Sequence, residues 1–176
     1  MIKLKKLIEQ TDNLENNETS ALSGNIIIGD SQTAFVKTQT NNIQMPAELQ
    51  KGGTGVAWLK DQVTKYAVSP NVNNVVLCTG TNDGYSASSV PALFTALHKT
   101  FPKAKIYAVQ GSWGWGGIKD ITEKTVKAYY KNNYETRGAT IIEPPIGDGK
   151  KNGESSDPHG PRLAYKQIGA AINKLL

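Results

Sequence analysis

From Asn25 onward the chain alternates short apolar, β-branched runs with longer stretches in which apolar positions recur every three or four residues. Ile26–Ile28 reads as a first buried strand and Asn74–Cys78 as a central one, while Ile106–Val109 and Thr140–Ile142 supply two more. A weaker strand is expected between Thr38 and Gln50, which makes about five. Between these runs, Leu93, Phe94, Leu97 and Phe101 share one helical face, and so do Ile118, Ile121, Thr125 and Tyr129. The last segment has Pro161 at a first-turn position and repeats Ala164, Ile168, Ala171, Ile172 and Leu175, the pattern of a closing helix. Strands alternating with helices in this way predict an α/β fold, a parallel sheet with crossover helices.

A stretch of different character precedes this pattern. Thr11–Thr19 is rich in Asn, Glu and Thr, and Met1–Ser23 reads as an appendage in which Ile2, Leu4, Leu7 and Ile8 make a short helix docking on the body or on a partner. Residues 24–176 then form one domain, a size at which a single core suffices. Twenty Lys and Arg against fifteen Asp and Glu give a formal charge of +5, yet apart from Lys3, Lys5 and Lys6 the basic residues are scattered. No zinc knuckle, RNP-like run or basic helix accompanies them, so a solvated surface accounts for the balance and nucleic acid is set aside as a partner. Cys78 is the single cysteine, which excludes an intrachain disulfide and a cysteine zinc cluster; inside Val75–Cys78 it reads as buried filler rather than a nucleophile. No apolar stretch approaches the roughly 20 residues of a membrane-spanning helix, and Met1–Gln10 lacks the apolar core of a secretory leader. Because Met1–Gln10 resembles the starts of some tailed-phage proteins, the expected location is cytoplasmic or virion-associated.

In an open parallel sheet, ligands bind beyond the carboxyl ends of the strands. Gly29-Asp30-Ser31 follows the first strand, Gly80-Thr81-Asn82-Asp83 follows the central one, and Asp157-Pro158-His159 follows the last, inside the long polar loop Gly147–Gly160. Taken singly, each has a plain structural reading, since the first two are good turn sequences and His159 suits an exposed loop. Their order and placement bring a hydroxyl, an amide, and a carboxylate with an imidazole to one edge of the sheet. His98, in the predicted helix Pro91–Phe101, reads as a structural or surface histidine.

These segments resemble the motif blocks of the SGNH, or GDSL-type, hydrolases, in the family's order over roughly Asn25–Leu176. Asn25–Ser31 (NIIIGDS) is similar to the block carrying the nucleophilic serine, Gly80–Asp83 (GTND) to the Gly-x-Asn-Asp block, and Asp157–His159, followed by Tyr165 and a terminal helix, to the final block. The turn Gly52-Gly53-Thr54-Gly55 stands where the family's oxyanion glycine belongs. The resemblance implies a three-layer α/β/α, flavodoxin-like SGNH hydrolase fold and a serine esterase without metal or organic cofactor. It casts Ser31 as nucleophile and His159 as general base, with oxyanion donors from the Ser31 N–H, a backbone N–H of Gly52 or Gly53, and the Asn82 amide. The chemistry is coherent: a serine hydroxyl needs a base to take its proton, and imidazole does so near neutral pH.

One departure stands out, because the family's last block reads Asp-x-x-His whereas here only Pro158 separates Asp157 from His159. Asp157 is the favoured orienting group, since an ionised carboxylate both aims the ring and stabilises the imidazolium. Ser156, a backbone carbonyl or Asp148 are the alternatives. Trp113 and Trp115, set among glycines in Gly111–Gly117, are expected on a loop where they stack on a sugar ring or line an acyl pocket, or else fold back over the sheet edge. Trp58 belongs to a helical run with Val63 and reads as core. The substrate expected is a small-molecule or carbohydrate ester, with sugar deacetylation preferred. A carbohydrate-binding or virion-associated module of the same fold with weak or no catalysis is the second reading, and acyl transfer to a sugar by the same residues the third. The oligomeric state is not legible in the sequence.

Overall fold

The computed structural model describes residues 21–113, 118–143 and 162–176, apart from the side chains of residues 162–164. Four strands, β1 (Ser23–Gly29), β2 (Asn71–Cys78), β3 (Lys105–Val109) and β4 (Thr140–Ile142), form one parallel sheet in the order β1-β2-β3-β4. The helices are α1 (Ser31–Lys37), α2 (Val56–Val63), α3 (Val90–Thr100), α4 (Glu123–Asn133) and α5 (Arg162–Leu175). Among the described residues no helix is long and apolar enough to cross a membrane.

Every strand core expected from the apolar runs lies within one of these strands. The fifth forms only as two isolated parallel bridges on the free side of β1, Ile26 with Gln44 and Gly29 with Gln50. The Ile27 N–H donates to the Gln44 carbonyl at 2.8 Å, and the Gln44 N–H to the Asn25 carbonyl at 2.8 Å. Pro46 has no N–H for a ladder, and Ala47–Leu49 closes into a 3-10 turn, so pairing lapses between the two bridges.

The strands are apolar over their carboxyl halves, as at Ile26–Ile28 and Val75–Cys78, because both sheet faces are covered there. Ile26, Ile28, Val75, Leu77, Ile106 and Ala108 pack with α2, α3 and α4 into one core. Their neighbours in sequence, Ile27, Val76, Cys78, Tyr107, Val109 and Ile142, point the other way and meet Val36 of α1 and Ile168 and Ile172 of α5. Three layers result.

The helices differ from expectation in two places. Ile118 and Ile121 precede α4 rather than belonging to it: Thr122 is the N-cap, its Oγ1 accepting the Thr125 N–H at 3.3 Å, and Thr125 is exposed. The buried face of α4 is Val126, Tyr129 and Tyr130, one position round from the expected stripe. In α5 the buried apolar positions are Tyr165, Ile168 and Ile172, with Ala171 and, just after the helix, Leu176 packed against the same core, and Leu175 is exposed. In α3 the expected face is buried as read, and His98 is exposed. The appendage expected over 1–23 falls outside the described residues up to residue 20; Leu22 already belongs to the body, packing on the core and donating its N–H to Ser69 Oγ at 3.0 Å.

The last register pair of β1 and β2 is Gly29 with Cys78. Gly29 has φ +136°, and a Cβ there would overlap the Cys78 carbonyl. Only glycine lets the chain turn here while still touching β2. Gly29→Ala is therefore expected to destabilise the protein by about 2 kcal/mol or more. Urea unfolding measures this, and a midpoint equal to that of the wild type would refute the steric argument.

Candidate active site

Ser31 owes its position to the cap of a helix. As β1 ends, the Asp30 N–H still donates to the Cys78 carbonyl at 2.8 Å. The Asp30 side chain then starts α1: its Oδ1 accepts the Gln32 N–H at 2.9 Å, and its carbonyl accepts the Thr33 N–H at 3.2 Å. Ser31 becomes the first residue of α1, partly exposed at the carboxyl edge of the sheet. The glycine turn is brought to it by neighbouring bonds, Lys51 N–H to the Gly29 carbonyl at 3.0 Å and Gln50 Nε2 to the Asp30 carbonyl at 3.3 Å. A Cβ placed on Gly52 would sit 3.6 Å from Ser31 Cβ, so the turn flanks the base of the Ser31 side chain.

The loop after β2 closes the other side. Asn82 Nδ2 donates to the Thr54 carbonyl at 3.0 Å and reaches Asp30 Oδ2 at 3.5 Å. Asp83 Oδ2 accepts the Val56 N–H at 2.5 Å, at the first residue of α2, whose own N-cap, Gly55, has no side chain to offer. A Cβ on Gly55 would overlap that carboxylate. A cap of this kind contributes about 1 kcal/mol, and here it also ties the Gly-Thr-Asn-Asp loop to the glycine turn.

Behind the loop stand four buried tyrosines. Tyr130 Oη donates to the Thr79 carbonyl at 2.7 Å and accepts the Gly111 N–H at 3.1 Å, while Tyr85 Oη donates to the Ser112 carbonyl. Tyr129 and Tyr134 pack edge-on or tilted against them with ring centroids 4.9–5.5 Å apart. The hydroxyls thus join the loops after β2 and β3. Burial pushes the Tyr130 and Tyr134 phenols well up, so they stay neutral donors.

Asp30 is 2% exposed. Burial raises its pKa from 3.8 to about 7; the Gln32 N–H opposes that rise and the nearby Asp83 charge adds to it. A carboxyl that hovers between charged and neutral therefore sits one residue from the nucleophile candidate. The sequence shows Asp30 only as a turn residue, since burial is a property of the fold; the role of Asp83 as a cap for a helix 27 residues earlier was likewise hidden.

Ser31, Gly52 and Asn82 are thus gathered around one point, with Gly53 beside Gly52 in the same exposed turn at φ +72°. His159, Asp157, Ser156, Asp148 and Trp115 lie outside the described residues. The chain beyond them returns to the site: Tyr165 stacks on Phe35 at a centroid distance of 5.2 Å, and Phe35 is one helical turn from Ser31. Of the two placements expected for Trp113, display on the loop or folding back over the sheet edge, the structure has the second. Trp113 is 5% exposed and packed in the core with Ile118 and the tyrosines, so it walls the sheet edge rather than offering an open stacking face. Trp58 is half-buried against the same core. Cys78 is buried, and burial pushes its thiol well above the usual range, in line with a filler role. Among the described residues no group of three His, Cys, Asp or Glu could hold a metal ion.

The raised Asp30 pKa has a stability consequence. The folded state holds this proton up to about pH 7 whereas the unfolded chain releases it near pH 3.8. Between those values the native state binds more protons, so this contribution is full below about pH 4 and lost as pH rises through 7. An asparagine at this position would cap α1 without a charge. Relative to wild type, Asp30→Asn should gain on the order of 2 to 4 kcal/mol between pH 4 and 8. Urea titrations of both proteins across that range test this, and parallel stability curves would contradict it.

No protein-family model matches the sequence, and no curated protein matches it. Solved structures do resemble it. A member of the lipolytic protein G-D-S-L family from Veillonella parvula superposes with a TM-score of 0.61 at 12% identity, covering 88% of this chain and 98% of that one. An acetylxylan esterase from Geobacillus stearothermophilus gives 0.61 at 13% identity, covering 89% and 95%. A carbohydrate esterase family 2 enzyme with a carbohydrate binding domain, from Corynascus thermopiles (Myceliophthora fergusii), gives 0.59 at 15% identity, covering 88% and 66%. With its parallel sheet, two covered faces and serine turn at the end of β1, the chain has the α/β fold shared by G-D-S-L lipolytic proteins and these carbohydrate esterases.

Proposed function

We propose that this chain is a serine ester hydrolase of the SGNH type, acting on a carboxylic ester and preferentially on a carbohydrate O-acetyl ester. The observation that carries the reading is the meeting of three chain-distant segments: the Ser31 turn, the Gly52-Gly53 turn and the Asn82 loop. Two of the three structural relatives above are by name esterases acting on carbohydrates, which supports the substrate class.

In this reading Ser31 Oγ attacks the ester carbonyl carbon while His159 takes the hydroxyl proton, and Asp157 orients the imidazole. The carbonyl oxygen becomes an oxyanion held by the Ser31 N–H, a backbone N–H of Gly52 or Gly53, and the Asn82 amide. Collapse breaks the bond to the alcohol, which leaves with the proton from His159, and an acyl-Ser31 remains. Water then attacks the acyl carbon as His159 takes its proton, and a second collapse releases the acid and restores the serine. Three residue steps separate His159 from Arg162, the first residue of α5, a span of about 10 Å at full extension, and the Tyr165–Phe35 stack anchors that helix beside α1, which supports His159 as the base.

Ser31→Ala is expected to abolish both p-nitrophenyl acetate hydrolysis and labelling by a fluorophosphonate. Labelling that persists in the variant would remove Ser31 from the role, and silence in the wild type would favour a binding module of the same fold. Asn82→Ala should lower kcat by about 10² to 10³ with little change in KM. A KM effect alone would mean that the amide binds substrate without meeting the oxyanion. Of Asp157→Asn and Ser156→Ala, the first should depress kcat the more; the reverse result would reassign the orienting group.

A further inference from the structure

We propose that Asp30 is a positioning residue that decides whether the Asn82 amide is free to meet the oxyanion: as a carboxylate it holds one Nδ2–H, and as a neutral acid it lets that N–H go. The proposal rests on the ester-hydrolase reading above. A side-chain amide has two N–H donors, and both already have protein acceptors here, the Thr54 carbonyl at 3.0 Å and Asp30 Oδ2 at 3.5 Å. Asn82 can therefore donate to a substrate only by giving one up. The contact to Asp30 is the longer, and hence the one to exchange. Asp30 cannot swing aside, because it is buried and its Oδ1 is fixed by the Gln32 N–H at 2.9 Å.

What remains variable is its charge. An ionised carboxylate is the stronger acceptor and rivals an oxyanion for the same proton; the neutral acid is a weak rival. The titratable groups that face Asp30 among the described residues are all acids: Asp83 and Tyr85 from the loop after β2, Cys78 of β2, and Tyr130 and Tyr134 from the α4 side. None of them supplies a positive charge to hold the carboxylate ionised. Consistent with this setting, the Asp30 pKa rises to about 7, within the working range of an esterase. The proton is exchanged with solvent and takes no part in bond making. Turnover would then rise with pH as the imidazole becomes neutral and fall again as Asp30 ionises.

The test is the pH dependence of steady-state kcat for p-nitrophenyl acetate from pH 5 to 9, with a no-enzyme blank, for the wild type, Asp30→Asn and Asn82→Ala. The wild type should fall about tenfold per pH unit above its descending pKa and level off as the loss nears the ~10²-fold cost of one oxyanion donor. Asp30→Asn should keep the rising limb and lose the falling one. If that variant does not fold, Asn82→Ala serves, since a protein without the amide should be slower throughout and have no falling limb from this source. A falling limb that survives in either folded variant, or an active wild type without one, overturns the inference and leaves the esterase reading intact. A wild type without esterase activity at any pH overturns both.

Discussion

The candidate site of this protein depends on how β1 stops. Gly29 pairs with Cys78 in a conformation that forbids a side chain, and the next residue keeps one more bond to the same carbonyl before its carboxyl begins a helix. Within three residues the chain passes from a buried ladder to a helix N-terminus with no loop between. A serine placed at that junction is held by the sheet behind it and the helix ahead of it. A backbone fixed in this way gives the residue at the junction one defined position at the sheet edge.

The same economy governs the surrounding loops. Asp83 serves a helix that belongs to another part of the chain, and in doing so pins the glycine turn against the Asn82 loop. The tyrosine cluster stitches the loop after β2 to the one after β3 through hydroxyl–carbonyl bonds, whose neutral phenols burial preserves. Buried hydroxyls would be costly if unpaired; paired to backbone carbonyls that no ladder uses, they convert irregular chain into a fixed platform. Trp113 joins this platform from the edge.

Asp30 shows the cost of such a junction. The N-cap of a helix favours a short acceptor side chain, and a carboxylate serves well in water. Here the cap lies under the glycine turn and the Asn82 loop, so the charge is stripped of solvent, and a second carboxylate, Asp83, adds to the penalty. The outcome is a carboxyl poised near neutrality beside the nucleophile candidate.

The sequence by itself determined the strands, because uniformly apolar β-branched runs such as Ile26–Ile28 and Val75–Cys78 have no stable home except a sheet covered on both faces. It also marked Gly29-Asp30-Ser31 and Gly80–Asp83 as segments that follow strand ends, since turn chemistry is local. It misjudged the segment around Pro46, where one missing N–H reduced a strand to two bridges, and the start of α4, where the Thr122 cap overrode the apolar spacing of Ile118 and Ile121. Only the tertiary structure decided that Trp113 packs inward, that Asp83 caps α2, and that Asp30 is buried and holds its proton to about pH 7. Those properties depend on which distant segments exclude water from a group, and solvent exclusion is a collective result of folding that residue order alone does not record.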